Sequence, residues 1–276
     1  DGITQDDIKG FYSNYYVPDG AILGVTGDVR ISELNKLLES GLGTWKGSGT
    51  PVQTPPAKFV PKPAQIFLVD RPGSAQSVLQ FGTLSLTQTD PDYIAVVVAN
   101  RILGGGSAGR LFQNIREKKG YTYGAYSTIP GRKWQAVWGA NASVRTAVTE
   151  PAVGEFYKEF LRLQTEPVSE PEITNAKRSI IGGFALTLEN PQTLLDRTLD
   201  QVQNGLASDY WDTYAKRIDS VTVKDVQRVA KKYLGSGQIQ LLVVGERKQI
   251  EPGLAKYGRV EVVDPNKIPT LGISSR

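Results

Sequence analysis

The densest run of residues able to do chemistry lies between Ile102 and Gly124. It opens on a glycine triplet, Gly104-Gly105-Gly106, passes through Ser107, Gly109 and Arg110, and closes on Arg116-Glu117-Lys118-Lys119-Gly120-Tyr121-Thr122-Tyr123-Gly124. Two kinds of chemistry suggest themselves. A phosphate-binding loop needs its glycines after a strand and a Lys-Ser/Thr pair at the following helix start. Here the glycines follow a helix-patterned segment and the pair is missing. An RNA-binding ribonucleoprotein strand needs a basic residue and a glycine followed by alternating aromatics. Lys119-Gly120-Tyr121-Thr122-Tyr123-Gly124-Ala125-Tyr126 comes near, but Thr122 stands in place of a small residue and Gly124 in place of a branched one. No upstream strand with stacking aromatics accompanies it, so an RNA-binding module is the weakest of the functional alternatives.

Composition closes other routes. The 276 residues include no histidine and no cysteine, so the chain alone cannot build a zinc hydrolase centre, a histidine general base or a thiol nucleophile. Hydrophobic residues at 39% and charged residues at 22% fit a soluble folded protein and not a disordered one. No apolar run approaches the roughly 20 residues of a membrane span. The net charge of +4 is spread thinly, without the dense basic block of a nucleic-acid site. Lack of cysteine suits the cytoplasm and an oxidising periplasmic or secreted setting equally, and the compartment stays open. A start at Asp1 without methionine suggests a processed or truncated product.

The elements that would position this run follow from periodicity. Thr4 can cap a helix with Ile8, Phe11, Tyr12 and Tyr15 on one face, ended by Pro18-Asp19-Gly20. Ala21 to Thr26 reads as a short apolar strand, and Ser32 to Leu38 as a second helix. Pro51, Pro55, Pro56, Pro61 and Pro63 make residues 47–64 an extended linker. Beyond it, Ile66–Val69 and Val78–Leu84 read as strands. Asp90-Pro91 opens a helix carrying Ile94, Val97, Val98 and Ile102, which Gly104 stops. Ser107 caps a short helix through Leu111, Phe112 and Ile115 that ends at Gly120. Strands at Thr122–Ile129 and Ala136–Val144 follow, the second alternating Trp138, Ala140, Ala142 and Val144 on a packed face. A largely helical stretch to Tyr233, a strand at Ile239–Val244 and a last helix and strand complete an α+β pattern. It predicts a mixed, mainly antiparallel sheet with helices on one face. Glu117, Glu155, Glu170 and Glu172 fall at spacings typical of solvated helix faces and are assigned no catalysis, and Trp45, Trp134, Trp138 and Trp211 are assigned to packing or interfaces rather than to a binding box.

The chain also repeats itself. Ile3-Thr4-Gln5-Asp6-Asp7-Ile8 matches Val221-Thr222-Val223-Lys224-Asp225-Val226, Tyr15 matches Tyr233, and Leu23 to Asp28 match Leu241 to Glu246. The offset is constant at 218, Thr222 against Thr4 and Gly245 against Gly27. A register kept through helix, turn, strand and glycine stop indicates a repeated domain of about 200 residues. Residues 1–46 are then expected to be the C-terminal tail of an upstream first domain, 47–64 the linker, and 65–276 a complete second domain.

A resemblance sharpens this. Leu103-Gly104-Gly105-Gly106, with a short helix ending in Arg116-Glu117-Lys118-Lys119-Gly120 and then Tyr123, resembles the C-terminal domain of the insulinase, pitrilysin and mitochondrial processing peptidase family. Asn14-Tyr15-Tyr16-Val17-Pro18-Asp19-Gly20 with Leu23 to Val29 resembles the end of that family's first domain. The resemblance covers nearly the whole chain. It implies a zinc metalloendopeptidase, or an inactive partner of one, whose His-x-x-Glu-His zinc motif lies in a first domain. That motif is not in this sequence, so zinc is implied only for the full-length protein or its partner. It further implies that Arg116 and Tyr123, seven positions apart, contact the substrate backbone and help to stabilise the tetrahedral intermediate. A fixed guanidinium and a phenol can both donate to one carbonyl oxygen as it becomes an oxyanion. Gly104, Gly105 and Gly106 would then shape a substrate-facing loop. The expected partners are a peptide or unfolded polypeptide, held against a sheet edge, and a zinc-bearing domain or subunit in a dimer. The alternative is a catalytically silent scaffold of the same fold.

Overall fold

A computed structural model of the chain describes residues 2–47 and 63–267, and these fall into two compact units. The first unit comprises Asp1–Lys58 with Ala185–Gln203, the second Phe59–Phe184 with Asn204–Arg276. Residues 48–62 of the expected linker lie outside the described residues.

In the first unit, α1 (Gln5–Tyr15) starts at Thr4 through a full capping box. Thr4 Oγ1 accepts from the Asp7 amide at 3.2 Å, and Asp7 Oδ2 accepts from the Thr4 amide at 2.8 Å. This satisfies two donors that a helix start otherwise leaves free. A second helix, α2, spans Ile31–Leu42. Val17 is buried and packs where Gly47 leaves no room for a Cβ, and Trp45 Nε1 donates to Tyr16 O. The strand expected at Ala21 to Thr26 does not form. A strand exists only as part of a ladder, and in this unit the segment instead lies with Gly24 against Leu195 and Leu199.

The second unit carries a sheet of six strands among the described residues. In chain order they are β1 (Ile66–Asp70), β2 (Gln76–Leu84), β3 (Thr122–Thr128), β4 (Val137–Arg145), β5 (Gln240–Gly245) and β6 (Val260–Val262). Across the sheet the order is β3-β4-β2-β5-β1-β6. The β2–β4, β2–β5 and β3–β4 pairs are antiparallel, and β1 runs parallel to both β5 and β6. The α+β class and mainly antiparallel sheet match the expectation from periodicity.

Strand alternation decides the layering. Along β2, Ser77, Leu79, Phe81 and Thr83 are buried while Gln76, Val78 and Gln80 are exposed, and β4 buries Trp138, Ala140, Ala142 and Val144. One sheet face is therefore core, covered by α3 (Tyr93–Leu103), α4 (Thr149–Thr165), α8 (Val223–Tyr233) and α9 (Arg247–Leu254). Helices α5 (Glu170–Thr187) and α7 (Tyr214–Asp219) continue the helical stretch, and α6 (Pro191–Asn204) between them falls almost wholly in the first unit. Phe81, Trp138, Phe156 and Phe160 are fully buried, with Phe81 and Phe156 rings 4.6 Å apart. Each such side chain contributes about 1.5–3 kcal/mol through burial alone. Among the described residues of this unit no helix covers the opposite face, where Val78 and Leu242 are exposed.

Candidate functional site

The candidate run is built onto the end of α3. Asn100, buried in the last turns, accepts from Trp138 Nε1 at 2.9 Å and donates to Ser127 O at 3.2 Å. The glycines that follow lie where side chains would collide. A Cβ on Gly104 would come within 2.7 Å of the Ser127 backbone nitrogen, one on Gly105 within 2.8 Å of Arg101 Cα, and one on Gly109 within 2.9 Å of Gly104. Close approach of the loop to α3 and β3 thus accounts for Gly104, Gly105 and Gly109 without any ligand. The Ser127 amide donates to Gly104 O, so at Ser127 the backbone groups of β3 are already engaged and unavailable to an added strand.

The short helix expected after Ser107 is a π-helical turn at Phe112–Lys118, and Ser107 does not cap it through its side chain. Phe112, Asn114 and Ile115 are buried within it. Asn114 Nδ2 reaches both Glu155 (2.7 Å) and Glu159 (2.8 Å) on α4, and Lys119 pairs with Glu155 at 3.1 Å. Glu155 and Glu172, expected on solvated faces, are instead structural partners: Arg110 holds Glu172 in a two-pronged bridge at 2.7 and 3.2 Å. Burial opposes the ionisation of Glu172, but the Arg110 guanidinium and the Ser169 amide prevail and hold its carboxyl at about 2.

Arg116 sits in this π-turn, its guanidinium paired with Glu117 and 5.0 Å over the Phe112 ring. Gly120, at φ 63°, then reverses the chain into β3. The register of β3 against β4 slips between Thr122 and Ala125. Thr122 Oγ1 supports this bulge, donating to Ser143 O at 2.7 Å and accepting from the Gly124 amide at 3.1 Å. The bulge turns Tyr123 outward, leaving it 88% exposed. Among the described residues no hydrogen bond or ring contact joins Arg116 to Tyr123.

What the structure brings to Tyr123 is a different set of side chains. Tyr123 lines a cavity of about 290 Å³ with Thr122, Gln76, Ser143 and Arg145. Gln76 and Arg145 face each other across the β2–β4 ladder, on the exposed side of both strands, and Arg145 Nη1 also donates to Gly120 O at 3.1 Å. Sequence reasoning missed Gln76, Ser143 and Arg145. The alternation around Val144 was enough to put Ser143 and Arg145 on the face opposite the core, but only the register sets Gln76 against Arg145. For RNA, the geometry is poor: the bulge breaks alternation at Tyr123, and Tyr126 packs against Phe112 with ring centroids 5.6 Å apart.

The donor set does not suit zinc. The sequence offers neither imidazole nor thiolate, and among the described residues no three acidic side chains gather into a possible metal site. Also among the described residues, no helix is long and apolar enough to cross a membrane.

The second unit thus presents a mixed six-stranded sheet with an exposed tyrosine beside an arginine, and no metal-ligand cluster among the described residues. The sequence profile of the Peptidase M16 inactive domain matches residues 2–180, and the chain belongs to that family. It is 28% identical over 260 residues to an uncharacterized zinc protease of Streptomyces coelicolor, covering 89% of this chain and 54% of that protein. A probable inactive metalloprotease of Bacillus subtilis is 26% identical over 233 residues, covering 84% of this chain and 54% of its own length. Among solved structures, a peptidase M16 inactive domain from Pseudomonas fluorescens superimposes with a TM-score of 0.76 at 23% identity, covering 88% of this chain and 58% of that one. The chain thus spans about half the length of the curated relatives it matches.

Proposed function

We propose that this chain is the non-metal half of a zinc metalloendopeptidase. In this reading it binds peptide on the open side of its sheet and presents donors to a zinc site on another domain or subunit. Residues 1–46 end an upstream domain of the same fold, 47–64 link, and 65–276 form the second domain. The observation that carries the reading is Tyr123, a phenol left in solvent by a bulge and set beside Arg145 and Gln76. A large aromatic turned outward by a bulge that the Thr122 hydroxyl braces suits contact with another molecule better than it suits packing. Tyr123 and Arg116 would donate to the substrate carbonyl oxygen as negative charge develops on it. For Arg116 this requires that the guanidinium leave Glu117. The loop of Gly104, Gly105 and Gly106 would flank the bound peptide.

The chain by itself is expected to bind no stoichiometric zinc and to cleave nothing. With the zinc-bearing domain or subunit supplied, Tyr123→Phe should lower turnover by roughly 100-fold or more, the effect of losing one oxyanion donor. Unchanged turnover would remove the catalytic part and leave a silent scaffold. That second reading is favoured by one observation, the engagement of Arg116 with Glu117 and Phe112 rather than with Tyr123.

A further inference from the structure

A second polar centre lies in the same unit, away from Tyr123. Arg101, in the last turn of α3, is half-buried, and its guanidinium donates to Gly105 O and to Ser179 Oγ on α5. Those are neutral acceptors. Arg110, Arg162, Arg228 and Arg247 all pair with carboxylates, whereas among the described residues no carboxylate lies within ion-pair distance of Arg101. A guanidinium carries five N–H donors in a planar fork, so three of its hydrogens stay available for a planar anion. Gly106 permits this placement, because a Cβ there would stand 3.2 Å from Nη1.

Arg101 lies on the border of two cavities. One, of about 390 Å³, has apolar walls from Val97, Ile129, Ile180 and Tyr214, and no acidic side chain lines it. The other, of about 180 Å³, is lined by Glu172, whose charge is offset by the Arg110 bridge. A cation without a carboxylate partner beside a partly apolar, acid-free cavity, whose remaining lining includes Asn100, Ser127 and Thr128, complements a monoanion that carries an apolar group. We propose that Arg101 anchors the C-terminal carboxylate of a peptide, with the terminal apolar side chain in the larger cavity. The choice of a peptide rests on the proposed function, which also sets Gly105 and Gly106 beside the bound chain, but no residue is shared with the cavity beneath Tyr123, so Arg101→Gln and Tyr123→Phe test the two readings separately.

The test is titration of the chain with N-acetyl-Ala-Leu, its C-terminal amide and inorganic phosphate, followed by calorimetry and backbone-amide NMR shifts. The acid should bind saturably and shift the amides of Gly105 and Thr128, and the amide should bind weaker by roughly tenfold or more, as loss of a charged hydrogen-bond partner implies. Arg101→Gln should weaken the acid to the level of the amide. Gly106→Ala, whose methyl displaces only the end of a flexible side chain, should weaken it in the same direction while leaving the thermal midpoint unchanged. Equal affinity for acid and amide, tighter binding of phosphate, or undiminished binding by a folded Arg101→Gln variant would overturn the proposal.

Discussion

Asp92 shows how much a single side chain can gather from distant sequence. It accepts from Arg228 Nη1 at 2.7 Å, Lys232 Nζ at 2.9 Å and the Tyr233 hydroxyl at 2.9 Å, clamping the start of α3 to α8. Burial opposes its ionisation, yet those three donors lower its pKa from 3.8 to about 2. A carboxyl depressed in the folded state adds stability above its unfolded pKa, and that increment is lost as pH falls from about 4 towards 2. Asp92→Asn should therefore flatten the acid limb of stability measured by urea unfolding between those pH values, with the largest loss near neutrality. Asn100 is the second such residue. Asn100→Leu would leave the Trp138 N–H and the Ser127 carbonyl buried without their partners, at a cost of about 2–4 kcal/mol in the same assay. Neither role could be read from sequence. The partners of Asp92 lie 136 to 141 positions away, and nothing local distinguishes Asn100 from a helix-terminal cap. Arg116 and Tyr123 could be named because a motif carries them, but the motif says nothing about which side chains stand beside them.

At the scale of elements, sequence was most informative where a local signal sufficed. The capping boxes at Thr4 and Thr222, the alternation through Trp138 and Val144, and the reversal at Gly120 all stand as the residues imply. It was least informative where an element depends on partners or on fine winding. Apolar content at Ala21 to Thr26 cannot supply a neighbouring strand. Helical periodicity over Leu111 to Ile115 likewise does not separate α from π winding, nor does it show that Asn114 is tied to α4. The glycine loop gives a sharper test. Gly104→Ala would force a methyl against the backbone of Ser127, which cannot yield as a flexible side chain can, and should destabilise by about 1–3 kcal/mol. Gly106→Ala should be near neutral for stability, and thermal unfolding of the two variants side by side distinguishes them.

At the scale of the whole molecule, the repeat makes the domain proposal testable. Helices α1 and α8 have the same bounds at an offset of 218 and the same capping box, with Thr Oγ1 to Asp Oδ2 distances of 2.6 Å in both. Val226, Val229 and Ala230 are fully buried, whereas their counterparts Ile8, Phe11 and Tyr12 are more than half exposed. Likewise Leu241 and Val243 are buried in β5 while Leu23 and Val25 are exposed. If residues 1–46 complete an upstream domain, amide hydrogens of α1 should exchange quickly in this chain. They should become protected by about 100-fold or more once the preceding domain is present, in line with incorporation into a cooperative unit. Protection that does not change would separate α1 from that domain.

The matched capping boxes also bear on how such a chain can diverge. The start of each helix is written in Thr4 with Asp7 and in Thr222 with Asp225, none of which belongs to the packing face. The face residues differ freely between the two copies, small in one and bulky in the other. Where a helix begins and what it recognises are thus separately editable. A handful of substitutions on one face can re-address the element to a new neighbour without moving its start.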